Sequence, residues 1–401
     1  MNASEQRVLV TVAGPDAPGI TAALAGIIAS AGAHLRDIEQ VVVQGQLTLC
    51  LVVGVEPEKG HGSPVVKDLL FAAKELGLDL DFEVLDEKPE PIRGAALYAV
   101  TVIGDTVDAA AVHALTSALA SYDANIETIK RLSDVTLSSL EIVVSVPRND
   151  ERVMALHKEL VRLAAQHGVD LAFQRERLTR RNKRLMVLDM DSTLIRIEVI
   201  DELARSYGVY EQVAAITARA MQGNMPYEQS LTERVALLAG MPLSAVMLVA
   251  GDPPLMDGAP ELLKALRVLG LKTAVISGGF SFAADALRNR FGLDYAFSNT
   301  LEVRDGKLTG RVLDPIVGPQ RKADLLDALA QREGIPLEQT VAVGDGANDL
   351  LMIEKAGLGI AFHAKPKLRA AADTSLTKGG LDRILYLLGL RARDVKELLE
   401  G

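Results

Sequence analysis

Cysteine is almost absent from this chain: Cys50 is the only one in 401 residues. No internal disulfide can form, and the cytoplasm is the simplest setting for such a protein. Long apolar runs are missing too. None reaches the ~20 residues of a spanning helix, so no membrane segment is expected. The opening stretch MNASEQRVLV lacks a basic start followed by an apolar core, and it does not read as a secretory signal. Positive charge is in deficit, with 43 Lys and Arg against 53 Asp and Glu, a formal net charge of −10. That balance argues against a general nucleic-acid binder, which presents a basic face. It leaves room for an anionic small substrate, because the charge inside a site can oppose the net charge. Clustered histidine is lacking as well. His34, His61, His113, His157, His167 and His363 show no ligand spacing and read as structural or exposed. What remains is ordinary for a globular protein, 49% hydrophobic and 24% charged. The length suggests two to three domains.

The most informative stretch is Leu185–Thr193, LMVLDMDST. It is a short apolar run that ends in two aspartates one residue apart, then hydroxyl residues. A buried parallel strand reads this way, and open α/β sheets place ligands at the carboxyl ends of such strands. Asp189 and Asp191 are two apart on an extended chain and share a face. Two carboxylates forced together repel unless a cation sits between them, and hard cations such as Mg2+ take oxygen ligands.

Three further segments belong with it. KTAVIS, 272–277, is an apolar run ending in Ser277-Gly278-Gly279. TVAVGD, 340–345, is another, followed by Gly346-Ala347-Asn348-Asp349. Between them Gln320-Arg321-Lys322 opens a helical pattern reaching about Glu333. The order of acid pair, hydroxyl with glycines, lysine and second acid cluster resembles the haloacid dehalogenase-like phosphohydrolases. The resemblance implies a doubly wound, Rossmann-like parallel sheet. Glu198–Gly251 is helical in pattern, with no strand signal before Lys272, and looks like a small helical cap at about 200–258. The Asp-Gly of Arg304-Asp305-Gly306-Lys307 marks a tight hairpin turn.

The first 174 residues follow another pattern. Strand, helix, two strands, helix and strand run from Val8 to Leu85, and the same order repeats from Ala96 to Gln174. This is the ferredoxin-like α+β order, twice. With Gly14-Pro15-Asp16-Ala17-Pro18-Gly19 between the first strand and helix, the pair resembles tandem ACT domains, at 1–88 and 94–174. That resemblance implies amino-acid binding and regulation, and pairing of subunits into a homodimer or higher homo-oligomer. Modules used only for dimerisation are the other reading. Gly19 opens a helix whose free N–H groups can receive a carboxylate, so Asp16 and Gly19 mark a possible effector loop. Gln174–Arg184, QRERLTRRNKR, has six basic residues and one acidic, and reads as a solvated basic linker at 175–184 before a phosphatase domain at 185–401.

The chemistry follows from residue types. Asp189 would attack phosphorus and become an aspartyl-phosphate. Asp191 would protonate the leaving oxygen and then activate water. Asp345 would complete a magnesium site with Asp189 and the Asp191 carbonyl, with Asp349 behind it. Ser277, Gly278 and Lys322 suit the remaining phosphoryl charge. Together with Glu198, Arg234 and Phe280 these motifs resemble the phosphoserine phosphatases. That resemblance implies O-phospho-L-serine as substrate, held by Glu198, Met221, Arg234, Ser277, Gly278, Lys322 and Asn348, with L-serine as a candidate effector. Glu198 can face the α-ammonium and Arg234 the α-carboxylate. Tyr227 departs from the family pattern, which has phenylalanine there. The alternatives are a phosphatase or phosphotransferase acting on homoserine phosphate or phosphoproteins, or an inactive amino-acid-binding regulator.

Overall fold

The computed structural model describes residues 6–55, 64–85, 95–134, 136, 138–222, 225–369, 372 and 374–400. The boundary expected at 88–94 and His61 lie outside these residues. The chain divides into two compact units, Met1–Arg93 and Gly94–Gly401.

In the first unit, strands β1 (Gln6–Pro15), β2 (His34–Val43), β3 (Gln46–Val55) and β4 (Asp79–Leu85) form one antiparallel sheet in the order β2-β3-β1-β4. Val8, Val10 and Val12 alternate onto one face of β1 and are fully buried. They share a core with Leu24 and Ile28 of helix Ile20–Ser30 and with Val66 and Leu69 of helix Pro64–Glu75.

The second unit begins with the same element order. Strands β5 (Ala95–Ile103), β6 (Asn125–Arg131), β7 (Ser139–Pro147) and β8 (Asp170–Arg175) are joined by helices Ala109–Ser121 and Asp150–Gln166. Asp108 and Asn149 cap these helices by accepting backbone N–H groups. The chain then enters β9 (Leu185–Leu188), β10 (Lys272–Phe280), β11 (Tyr295–Arg304), β12 (Lys307–Leu313), β13 (Thr340–Gly344), β14 (Gly359–Phe362) and β15 (Thr374–Leu376).

The sheet does not stop at the expected linker. It runs through eleven strands in the order β12-β11-β10-β9-β13-β14-β15-β8-β5-β7-β6. The junction is the antiparallel bridge of Thr374 in β15 to Ala172 in β8. Gln174–Arg184 is correspondingly not a solvated linker. Its first residues finish β8, and Leu178–Arg181 is a short helix. Arg180 is only 3% exposed and donates to Glu141 Oε2 at 2.7 Å and Glu176 Oε2 at 2.6 Å. Arg181 adds a bond to Glu141 Oε1 at 2.9 Å. Charge count alone suggested solvent, but the partner Glu141 lies 39 residues upstream, beyond local pattern.

β9 sits at the centre of the parallel part, between β10 and β13. Met186 and Leu188 face one core, Leu185 and Val187 the other. Burial on both faces explains why this strand is apolar without alternation. The register sets Leu188 level with Val275 and with Val343. The three strands therefore release Asp189, Ser277 and Asp345 at one edge. Four helices, Val199–Tyr207, Tyr210–Met221, Tyr227–Ala236 and Leu243–Ala250, follow β9 and form the cap. The β11–β12 hairpin supports it: Gly240 N–H donates to Leu308 O at 2.7 Å, and Leu243 N–H to Gly306 O at 2.8 Å.

Candidate active site

The edge at the carboxyl ends of β9, β10 and β13 gathers most of the expected residues. Asp189 follows β9, and its N–H donates to Val343 O at 2.9 Å, extending the pairing by one residue. Lys322 rises from the first turns of helix Pro319–Arg332 and is completely buried. Its Nζ donates to Asp189 Oδ1 and to Asp349 Oδ1, both at 2.7 Å. Burial works against the ammonium, but the two carboxylates outweigh it and raise its pKa. Asp189 is pushed well above the usual carboxylate range, first by burial and then by Asp349, with Lys322 opposing.

Asp349 accepts on both oxygens, since Gly346 N–H donates to Oδ2 at 3.1 Å. This bond holds the turn Ala347–Asp349 that follows Asp345. One carboxylate oxygen from each of Asp189, Asp345 and Asp349 lies within 4.8 Å of the others. Three buried or half-buried oxygen donors facing one lysine carry more negative charge than Lys322 neutralises. With both Asp349 oxygens already bonded, Asp189 and Asp345 are the carboxylates of this set that fit a hard divalent cation. Asp345 is pushed up to about 7 by burial, then by Asp349 and Glu198. Asp191 is pushed up to about 8 by burial, then by Glu198. Its Oδ1 accepts Val199 N–H at 3.2 Å.

Glycines make the space. A Cβ at Gly279 would press into the Asp191 carboxylate and the Met190 side chain, and one at Gly344 into Asp349. Ser277 is buried, and its Oγ accepts Gly279 N–H at 2.8 Å. Ser192 has φ +57 and donates to Glu198 Oε1 at 2.9 Å, fixing an otherwise exposed carboxylate at the start of the cap. Arg234 lies half-buried on cap helix Tyr227–Ala236, with Nε donating to Ser230 O at 3.2 Å. Its charge is felt at both Asp201 and Tyr227. Asn348 sits half-buried beside Gly346.

Met221 is not drawn in. It ends helix Tyr210–Met221 with its side chain 65% exposed, and residues 223 and 224 lie outside the described ones. Of two further contributors, one was read only as part of the doubled glycine and the other was not read from the sequence. Gly279 packs directly on Asp191, and the fully buried Asn299 donates to Gly278 O at 2.8 Å. The doubled glycine was a signal for the first; Asn299 gives none within an ordinary strand pattern. In the first unit, Gly19 has φ +97 and caps helix Ile20–Ser30, while Asp16 N–H donates to Gly45 O at 2.9 Å.

Comparison with known proteins agrees with this layout. Residues 183–357 match the model for haloacid dehalogenase-like hydrolases, and residues 6–83 and 96–174 each match an ACT domain model. The phosphoserine phosphatase of Mycobacterium tuberculosis is 43% identical over 389 residues, covering 97% of this chain and 94% of that protein. That of Streptomyces coelicolor is 42% identical over 391 residues, covering 97% and 93%. A solved haloacid dehalogenase-family hydrolase from Salmonella enterica serovar Typhi superposes with a TM-score of 0.63 at 31% identity. It covers 73% of this chain and 98% of its own.

Proposed function

The chain belongs to the phosphoserine phosphatase family of haloacid dehalogenase-like hydrolases, and from that premise we propose that it hydrolyses O-phospho-L-serine to L-serine and phosphate through a phosphoaspartate on Asp189, the step that releases free serine in its biosynthesis. The observation that supports this most is the buried Asp189–Lys322–Asp349 cluster with Asp191 packed on Gly279 beside Ser277. A carboxylate nucleophile, an acid with a raised pKa, and hydroxyl, backbone and lysine donors suited to phosphate meet at one sheet edge.

Asp189 attacks phosphorus with the oxygen that Lys322 does not hold. The bond from phosphorus to the serine oxygen breaks, and Asp191 supplies the proton to that oxygen. Asp191, now a carboxylate, takes a proton from water, which attacks the phosphoaspartate. The phosphorus–Asp189 bond breaks and phosphate leaves. Lys322, Ser277 and the Gly278 backbone hold the phosphoryl oxygens through both steps. Asp189, Asp345 and the Asp191 carbonyl would hold Mg2+, with Asp349 behind them; the bound cation supplies positive charge where phosphate meets carboxylate. Glu198 receives the α-ammonium and Arg234 the α-carboxylate. Asn348 completes the pocket, and Met221 reaches it only if the end of its helix turns inward.

The ACT domains supply regulation by an amino acid. The loop Gly14–Gly19, with Asp16 and Gly19, is the proposed effector site, L-serine the effector, and residues 1–174 the surface of a homodimer. A direct test compares phosphate release from phosphoserine, phosphothreonine, homoserine phosphate and a phosphoserine peptide, with magnesium and with chelator. Phosphoserine is expected to lead, with activity lost in chelator and in Asp189→Asn. Near-native turnover by Asp189→Asn would rule out the covalent route, and preference for another ester would reassign the substrate.

A further inference from the structure

The helical cap and the turn after Ser277 meet at a polar contact made by Tyr227. This residue opens cap helix Tyr227–Ala236, and its hydroxyl donates to the Gly278 carbonyl at 3.2 Å. The same carbonyl accepts Asn299 Nδ2 at 2.8 Å. Asn299 is itself fixed, because its Oδ1 accepts Val317 N–H at 2.8 Å. Both lone pairs of the Gly278 oxygen are engaged. The tyrosine ring lies across two glycines. A Cβ at Gly278 would collide with the hydroxyl, and one at Gly318 would stand 3.3 Å from the ring Cδ1. Gly318 caps the helix that carries Lys322. One cap side chain thus touches the elements that supply both Ser277 and Lys322.

Peptide planarity extends the effect. In a trans peptide the C=O and the following N–H point in opposite directions. A Gly278 carbonyl held toward Tyr227 and Asn299 aims Gly279 N–H the other way, where it donates to Ser277 Oγ at 2.8 Å. One Oγ lone pair is thereby fixed, and the serine O–H keeps its capacity to donate to a second acceptor. The Asp191 carboxylate packs on Gly279 close to this hydroxyl. Burial pushes the Tyr227 phenol up to about 12, so the donor keeps its proton across the neutral range.

We propose that Tyr227 is a positioning residue: its hydroxyl fastens the cap to the phosphate turn and, through the Gly278–Gly279 peptide, directs the Ser277 hydroxyl at the phosphoryl group. The inference rests on the phosphomonoester reading of this site and names a residue that reading does not use. Phenylalanine keeps the ring and lacks only the donor, so Tyr227→Phe isolates the bond.

The experiment compares full-length wild type, Tyr227→Phe and Tyr227→Leu. Amide exchange at residues 278–280 and 227–236 is followed in the free protein. Inhibition by inorganic phosphate is measured together with kcat and KM on phosphoserine and p-nitrophenyl phosphate. Losing one neutral hydrogen bond predicts a roughly 3–10-fold faster exchange in Tyr227→Phe and a similar weakening of phosphate inhibition. KM should rise by about the same factor on both substrates, since the turn serves the phosphoryl group common to them. Tyr227→Leu should lose at least as much, while thermal midpoints stay close for the phenylalanine variant. Wild-type exchange in Tyr227→Phe would overturn the proposal. So would faster exchange with unchanged phosphate inhibition, because the bond would then be structural only. If wild type does not hydrolyse phosphoserine, the substrate reading fails, while exchange and phosphate inhibition still decide the role of Tyr227.

Discussion

Asp191 and Asp345 carry the site's most testable electrostatics. Burial and Glu198 push Asp191 up to about 8, and burial with Asp349 and Glu198 pushes Asp345 up to about 7. Asp191 is thereby an acid near neutrality, as protonation of a leaving oxygen requires. The same shifts set a stability trend. Unfolded carboxylates titrate near 4, so at neutral pH the unfolded chain holds no proton at these positions, while the metal-free native state does. More protons on the native side makes the unfolding free energy fall as pH rises. The contribution is fully present below about pH 4, declines as pH rises from there, and is lost by about pH 8, once both native carboxyls have ionised as well. Magnesium requires deprotonated ligands and should flatten the trend. Urea midpoints in chelator are expected to drop across that range, and to drop less in magnesium or in Asp191→Asn with Asp345→Asn. Identical slopes in all three would mean that these carboxylates are ionised in the native protein.

Among the elements, the cap helix Tyr227–Ala236 lets the proposed substrate contact be tested apart from the proposed phosphate chemistry. Arg234 projects from this helix, whereas Asp189, Ser277 and Lys322 belong to the core sheet and its helix. A charge-assisted bidentate bond contributes roughly 1.5–3 kcal/mol, so Arg234→Ala should raise KM for phosphoserine about 10–150-fold. p-Nitrophenyl phosphate has no carboxylate and should change little; equal losses on both substrates would place Arg234 in the fold or the phosphate cradle instead. The helices after β9 were legible because a helical pattern without an intervening strand is a local signal. So were β9, β10 and β13, whose apolar runs end in aspartate or serine at matching register. β15 was not read: three residues, Thr374–Leu376, hold no period of their own and become a strand by pairing. Ala392–Glu400 is a further helix, packed on Ala259–Val268, with Lys264 Nζ donating to Leu399 O at 2.6 Å. Nor could sequence show that Asp349 uses both oxygens internally, since Lys322 reaches it from a separate helix, Pro319–Arg332.

At the scale of the whole molecule, the two ACT domains have unequal standing. The first closes its own sheet and core within Met1–Arg93. The second shares a sheet with the catalytic part, and its Ile103 and Ala172 lie in the same apolar core as Leu188 and Leu385. Buried Asp170 accepts Thr377 Oγ1 at 2.7 Å and Thr377 N–H at 2.8 Å, and Arg383 reaches Gly104 O at 3.2 Å and Asp105 at 3.1 Å. Cutting the chain near Arg181 would bare the edge of β15, uncover that core and remove Glu141 from Arg180 or Arg180 itself. Exposing part of that core and the strand edge removes apolar burial that contributes much of the ~5–15 kcal/mol holding a domain folded. A chain starting at residue 94 removes none of these contacts. We therefore expect residues 94–401 to fold and hydrolyse phosphomonoesters at close to the full-length rate, and residues 181–401 to unfold at markedly lower urea or to aggregate. Regulation should divide along the same line. If the loop Gly14–Gly19 binds L-serine, residues 94–401 and the full-length Gly19→Val variant lose a serine response that wild type shows. Gly19 at φ +97 with open space around it makes valine a test of backbone conformation rather than of packing. Sedimentation of the same three proteins reports assembly. A monomeric wild type would refute the dimer, and serine inhibition undiminished in residues 94–401 would move the effect to the active site, where serine is simply the product.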